Sequence, residues 1–438
     1  MKKDQLSLSY SNASGAALDD YLAALDSFYC YVGDTITPLD RAIADSPGFT
    51  MAYVLKAYLH LIGSNAEAQQ VSAQCHAEAL TLEKNDRERM HVRALGLMLE
   101  NRLWEAARAF EDLLVDYPLD GLALQVGAVV DFLVGDSRML RDRVGRLLPE
   151  WSPDMRGYHA VLANGAFGLE ETGQYARAEA MGREALAFEP RNTWATHAVA
   201  HVLEMENRRR EGVAFMQGTV DNWAPDSFFA VHNWWHLALF HLGLDEIDEV
   251  LKLYDGPIYG TASPMQFDMV DASALLWRLH LRGVDVGNRW QAIADAWEAD
   301  LRQNPESAYP FNDFHRMMAF VGADRDAAAL ETLAAQDRGL KLGGDGPMML
   351  RDVGQPLTLG VRAFGEGRYR DCVELLRPVR NRAARFGGSH AQRDLIDLTL
   401  IEAARRDGQR NLVTALGAER GFAKPEADEA TAQFHKAA

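Results

Sequence analysis

"NGAFGLEETGQYARAEAMGREALAFEP", Asn164–Pro190, decides the fold. Apolar residues recur at helical spacing on either side of Gly173, which reads as two helices around a tight turn, and Pro190 ends the second of them. Small Ala178 lets the two helices approach, and Tyr175 fills the space between them. The order returns in "LTLGVRAFGEGRYRDCVELLRPV", Leu357–Val379, with Gly360, Ala363, Gly367, Tyr369 and Cys372 at equivalent places. A slightly shifted copy, "LGLMLENRLWEAARAFEDLLVDYP", centres on Trp104, Ala107 and Pro118. A weaker one, "ITPLDRAIADSPGFTMAYVLKAYLHL", places Pro47 between two helices.

A helix–turn–helix unit repeated in this way is the signature of tetratricopeptide arrays. Between the clear copies, as in "ALLWRLHLRGVDVGNRWQAIADAWEADL", the spacing drifts but each stretch still reads helix, short turn, helix. Strand signals are scarce. The expectation is an all-α chain, a tetratricopeptide-like α-solenoid of about ten to twelve antiparallel helix pairs winding into a right-handed superhelix. It runs as one continuous body over 1–423, with 424–438 a frayed tail low in large apolar residues.

Composition narrows the function classes. A hydrophobic fraction of 48% over 438 residues is ample for a core, and a formal net charge of −18 opposes generic binding to nucleic acid or anionic membrane. The most apolar stretch, "GLALQVGAVVDFLVG", is interrupted by Asp131 and is too short to span a bilayer, so it reads as a buried helix. Cys30, Cys75 and Cys372 are far apart and form no Cys-x-x-Cys pair, which excludes a disulfide framework or thiolate zinc site. Lacking an apolar leader, the chain is expected in the cytoplasm.

The polar residues fall in a pattern. "HAVAHVLEMENRRREG" opens after Trp194 on the first helix of a repeat, and at 100° per residue His197, His201 and Glu204 lie within about 60° of one another. "HNWWHLALFH" puts His232 and His236 on one face of the next first-helix, with Asn233 beside them. Asp268 and Asp271 are three apart in "QFDMVDASALLWRLH", and Asn312, Asp313 and His315 open "FNDFHRMMAF". First helices line the concave face of such arrays, so these stripes are expected to meet there.

Two readings follow. In the first, a concave pocket holds a small polar molecule, with His197, His201, Glu204, His232, His236, Asp271 and His315 doing acid–base work of a hydrolase- or lyase-like kind. Trp194, Asn233, Asp268, Asn312, Asp313, Arg351 and Arg393 would bind the substrate, the arginines clamping a carboxylate or phosphate. A divalent metal, zinc or iron, on His197, His201, His232 and His236 is the less favoured variant, because "HAVAH" lacks the glutamate that makes a His-Glu-x-x-His helix diagnostic. In the second reading the groove is an interaction scaffold for a peptide, a protein partner or a second copy of the chain. For Asp268 and Asn312 helix capping is as good an explanation as ligand binding, and the tryptophans read as core.

"HAVAHVLEM", "HNWWHLALF", "DMVDASALLWRL", "FNDFH", "LRDVGQPL" and "GGSHAQRD", in this order, resemble the tetratricopeptide repeat protein 38 family over roughly Leu18 to Arg405. The resemblance implies an α-helical solenoid and no defined reaction. It also marks Arg351 and Asp352, and Gln392, Arg393 and Asp394, as family positions; His390 stands where the family also tolerates asparagine.

Overall fold

The computed structural model describes residues 1–62 and 66–423, and the expected tail lies outside them. The described residues form eleven successive helical hairpins, from Gly15–Cys30 with Ile36–Asp45 to His390–Arg406 with Arg410–Ala423, so the chain is a tetratricopeptide-like array of antiparallel helix pairs. "GLALQVGAVVDFLVG" is the buried helix Gly121–Leu133. No helix among the described residues is long and apolar enough to cross a membrane. Among the described residues, strand is confined to a two-residue antiparallel pairing of Lys2–Lys3 with Ser9–Tyr10, which the sequence did not suggest. Distant side chains hold it: Asn85 and Arg87 donate to the Ser9 carbonyl, and Glu88 accepts from the Ser11 amide.

One turn recurs throughout. In eight hairpins the residue with positive φ that closes the first helix sits two residues before the second: Asn101, Gly135, Gly173, Asn207, Asp245, Asp324, Gly367 and Gly408. At each, its amide bonds to the carbonyl three residues back and the next amide to the carbonyl five back, as Gly173 to Glu170 and Gln174 to Leu169. This closes the first helix in a Schellman cap, and glycine, asparagine and aspartate are the residues that tolerate the left-handed backbone it needs. The hairpin turning at Asp324, whose sequence spacing drifts, therefore shares the turn chemistry of the clear copies.

The chain packs as two compact units, Met1–Val199 with Thr219–Ala230, and Ala200–Gly218 with the chain from Val231 on. In the first unit, a methyl built on Gly168 would come within 2.6 Å of the backbone of Leu140 and Arg141, so only glycine allows that helix crossing. A buried Arg143 binds both oxygens of buried Asp131 at 2.7 and 2.8 Å.

The second unit is built around the helix Gln266–Leu281, which is buried on almost every side and packs against Pro310–Gly322, Arg289–Gln303 and His390–Arg406. Trp277 and Trp297 fill its flanks, and their indole N–H groups donate to Thr399 and Ser273 at 3.0 and 2.9 Å. Of the tryptophans beside the His pairs, Trp235 is fully buried, while Trp194 and Trp234 are half-buried. The helix Ala230–Gly243 is seated against Arg209–Gly218, where a Cβ at Gly212 would meet the Phe240 ring at 2.5 Å. Close, specific packing of this kind holds the polar side chains of these helices in place.

Candidate functional site

Polar side chains carried by three helices come together in the interior of the second unit. Thr193–Met205 delivers His201, Ala230–Gly243 delivers His232 and His236 one turn apart, and Gln266–Leu281 delivers Asp271. All four residues are buried. The His236 ring lies 4.6 Å from that of His201 and 4.8 Å from that of His232, centroid to centroid. One nitrogen from each of the three histidines lies within 4.8 Å of the others.

Asp271 Oδ2 sits 2.7 Å from His232 Nδ1. A carboxylate accepts at this distance, so Nδ1 carries the proton and Nε2 keeps its lone pair. The other carboxylate oxygen, Oδ1, is buried and has no hydrogen-bond partner. Burial holds His236 well below the usual imidazole range, and the neighbouring His201, His232 and Arg278 push it further.

Arg278 was not anticipated. It lies seven residues after Asp271, two full helical turns and so on the same face. It is buried, donates to the Ala391 carbonyl at 2.6 Å and lies 5.4 Å over the Trp235 ring. Burial lowers its pKa to about 10, against the pull of Asp394, Glu204 and Asp271. It stays charged and supplies the positive field of the cluster. The sequence signal was present in "DASALLWRLHL": a lone cation in an apolar run, in register with a carboxylate.

His315 faces the same arginine from the helix Pro310–Gly322. Its Nδ1–H donates to the Phe311 carbonyl at 2.8 Å, leaving Nε2 buried and without a partner. Burial brings it down to about 4, with Arg278 adding to the effect. Asp268 moves the other way: burial, joined by the charge of Asp271, raises it to about 6. Neither Asp268 nor Asn312 caps its helix; Met265 and Tyr309 stand at those positions, so the capping explanation fails for both.

The remaining expected residues are engaged elsewhere. Asp313 binds Ser307, Arg316 and Gln336, which is a buried structural network, and Asn312 donates to Gln266 at 2.9 Å. Arg393 donates to the Gly388 carbonyl, and Arg351 is exposed. Gln392 completes a capping box with Ser389, Asp394 binds Arg420, and Asp352 binds Arg385. Asn233 is buried beside His232, and half-buried Glu204 faces Arg278 electrostatically. The division between the units falls inside Thr193–Met205, between His197 and His201. Within the first unit the His197 ring stacks on Trp194 at 4.5 Å, among Phe167 and Phe229. The buried thiols of Cys30 and Cys372 are pushed up to about 12, out of reach of thiolate chemistry at neutral pH.

These shifts have opposite effects on stability. Between about pH 6.5 and pH 4 the unfolded chain protonates His315 and the native one does not, so the stability that neutral His315 contributes is complete above pH 6.5 and is lost on acidification. His236 acts in the same direction. Asp268 opposes both, because between about pH 3.8 and pH 6 the native state holds its proton more tightly. His315→Asn is expected to recover about 2 kcal/mol of the loss at about pH 5, and Asp268→Asn to steepen the loss. Urea unfolding at about pH 7.5 and about pH 5 measures both; parallel curves for wild type and His315→Asn would refute the assignment.

No family model matches the chain. Among solved structures, the human IFIT1 dimer with m7Gppp-AAAA aligns at TM-score 0.44 and 12% identity, over 100% of this chain and 95% of that one. Yeast Tom70 aligns at TM-score 0.30 and 13% identity, over 96% of this chain and 89% of that one.

Proposed function

We propose that the second unit binds a small polar ligand at the His201, His232, His236 and Asp271 cluster and carries out acid–base chemistry on it, of a hydrolase- or lyase-like kind. The chain is read as a cytoplasmic member of the tetratricopeptide repeat protein 38 family, with no role for nucleic acid or membrane. In this reading the His232–Asp271 pair is the base, its Nε2 accepting a proton while Asp271 stabilises the imidazolium that forms. Asp268, at about 6, is the complementary acid, and Arg278 compensates developing negative charge.

The observation that carries it is the pair of buried orphan atoms, Asp271 Oδ1 and His315 Nε2. A polar atom buried without a partner costs about 1–3 kcal/mol, and a protein keeps such atoms where an occupant satisfies them.

Two measurements test the reading. Native mass spectrometry of the full chain, purified under gentle conditions, is expected to find a retained small molecule. A panel of chromogenic esters, phosphate esters, glycosides and amides is expected to show turnover of one class. A chain that retains nothing, turns over no class and instead recovers a defined protein partner would establish the scaffold reading.

A further inference from the structure

We infer that the second unit carries a divalent transition-metal site, with His201, His232 and His236 as nitrogen ligands and Asp271 orienting His232 from behind. This rests on the reading that the cluster is an occupied site, and it names one occupant.

Three imidazoles converge from two helices, each offering a nitrogen within 4.8 Å of the others. Zinc–imidazole bonds of about 2.0–2.1 Å put tetrahedral ligand nitrogens about 3.4 Å apart, so ligation asks only for small ring rotations that draw the three inward. His232 and His236 stand at i and i+4, the spacing that aims two side chains of one helix at one point.

The second shell is already in place. Asp271 accepts from His232 Nδ1 at 2.7 Å, which fixes Nε2 as the ligating atom in the carboxylate–histidine–metal arrangement. Imidazole ligands with no thiolate favour zinc, cobalt, nickel, copper or iron over calcium or magnesium. A metal on Nε2 would take His232 out of the base role proposed above and would itself activate the water for hydrolysis.

The full chain, purified without chelators, is expected to contain about one equivalent of transition metal by plasma mass spectrometry. Stripped and titrated with Co2+, it should bind about one equivalent and develop the intense visible bands of a low-symmetry nitrogen site. His236→Ala should abolish the bands, and Asp271→Asn should weaken Co2+ binding about 10–100-fold. His241→Asn, on the same helix but bonded to Glu246 at 2.6 Å, should leave the bands unchanged. Folded wild-type chain showing only the weak spectrum of the hydrated ion would overturn the inference without reference to any variant. Turnover or a retained organic molecule in that metal-free chain would leave the acid–base reading standing. Co2+ bound with neither turnover nor organic ligand would sink that reading and keep the metal site.

Discussion

Asp271→Asn is expected to lower turnover of whichever chromogenic class the wild type accepts by about 10²–10⁴-fold, with the helical fold retained. The two side chains have nearly the same volume, so the packing around the buried helix Gln266–Leu281 survives. The chemistry does not. If the new amide turns its nitrogen to His232, it donates to Nδ1, and the ring proton moves to Nε2, the atom required as base or ligand. If it turns its oxygen instead, the tautomer is kept but the negative charge that stabilises an imidazolium is gone. Both orientations lose activity. The loss should fall on kcat with circular dichroism unchanged; equal activity in the variant would remove Asp271 from the mechanism.

The largest effect on stability is expected in the first unit, at Arg143. Arg143→Met keeps an unbranched apolar stem but strands the Asp131 carboxylate, which is fully buried and otherwise bonded at both oxygens by that guanidinium. Removing one partner of a buried ion pair costs about 3–5 kcal/mol, because the remaining charge has neither water nor counter-ion. The double variant Arg143→Met with Asp131→Leu should recover most of that loss, since it removes the stranded charge. Denaturant unfolding measures both. A single variant as stable as wild type would show that the pair contributes geometry alone. The pair also explains why Asp131 interrupts the most apolar stretch of the chain.

The fold was legible because its grammar is local. Helical periodicity, small residues at crossings and a glycine, asparagine or aspartate before most of the second helices all act within one hairpin. Hairpins that look degenerate by spacing, such as the one turning at Asp324, still carry that turn residue. The Lys2–Lys3 and Ser9–Tyr10 pairing was illegible for the opposite reason: what holds it, Asn85, Arg87 and Glu88, lies more than seventy residues away. The same distinction runs through the candidate site. The i, i+4 spacing of His232 and His236 is written in one helix, and so is the seven-residue register of Asp271 and Arg278, which went unread because a cation in an apolar run reads as a surface residue.

By itself the sequence determined an all-α chain of repeated helix pairs and the identity of its polar stripes, because backbone hydrogen bonding and side-chain periodicity depend on near neighbours. Only the tertiary structure decided which stripes meet. It joined His201, His232, His236 and Asp271 and set His315 and Arg278 in one field. It committed Asp313, Asn312 and Arg393 to bonds of their own and left Arg351 exposed. Whether a polar residue is a ligand or a strut depends on the partner it finds across a helix crossing, and crossings are set by the packing of whole helices.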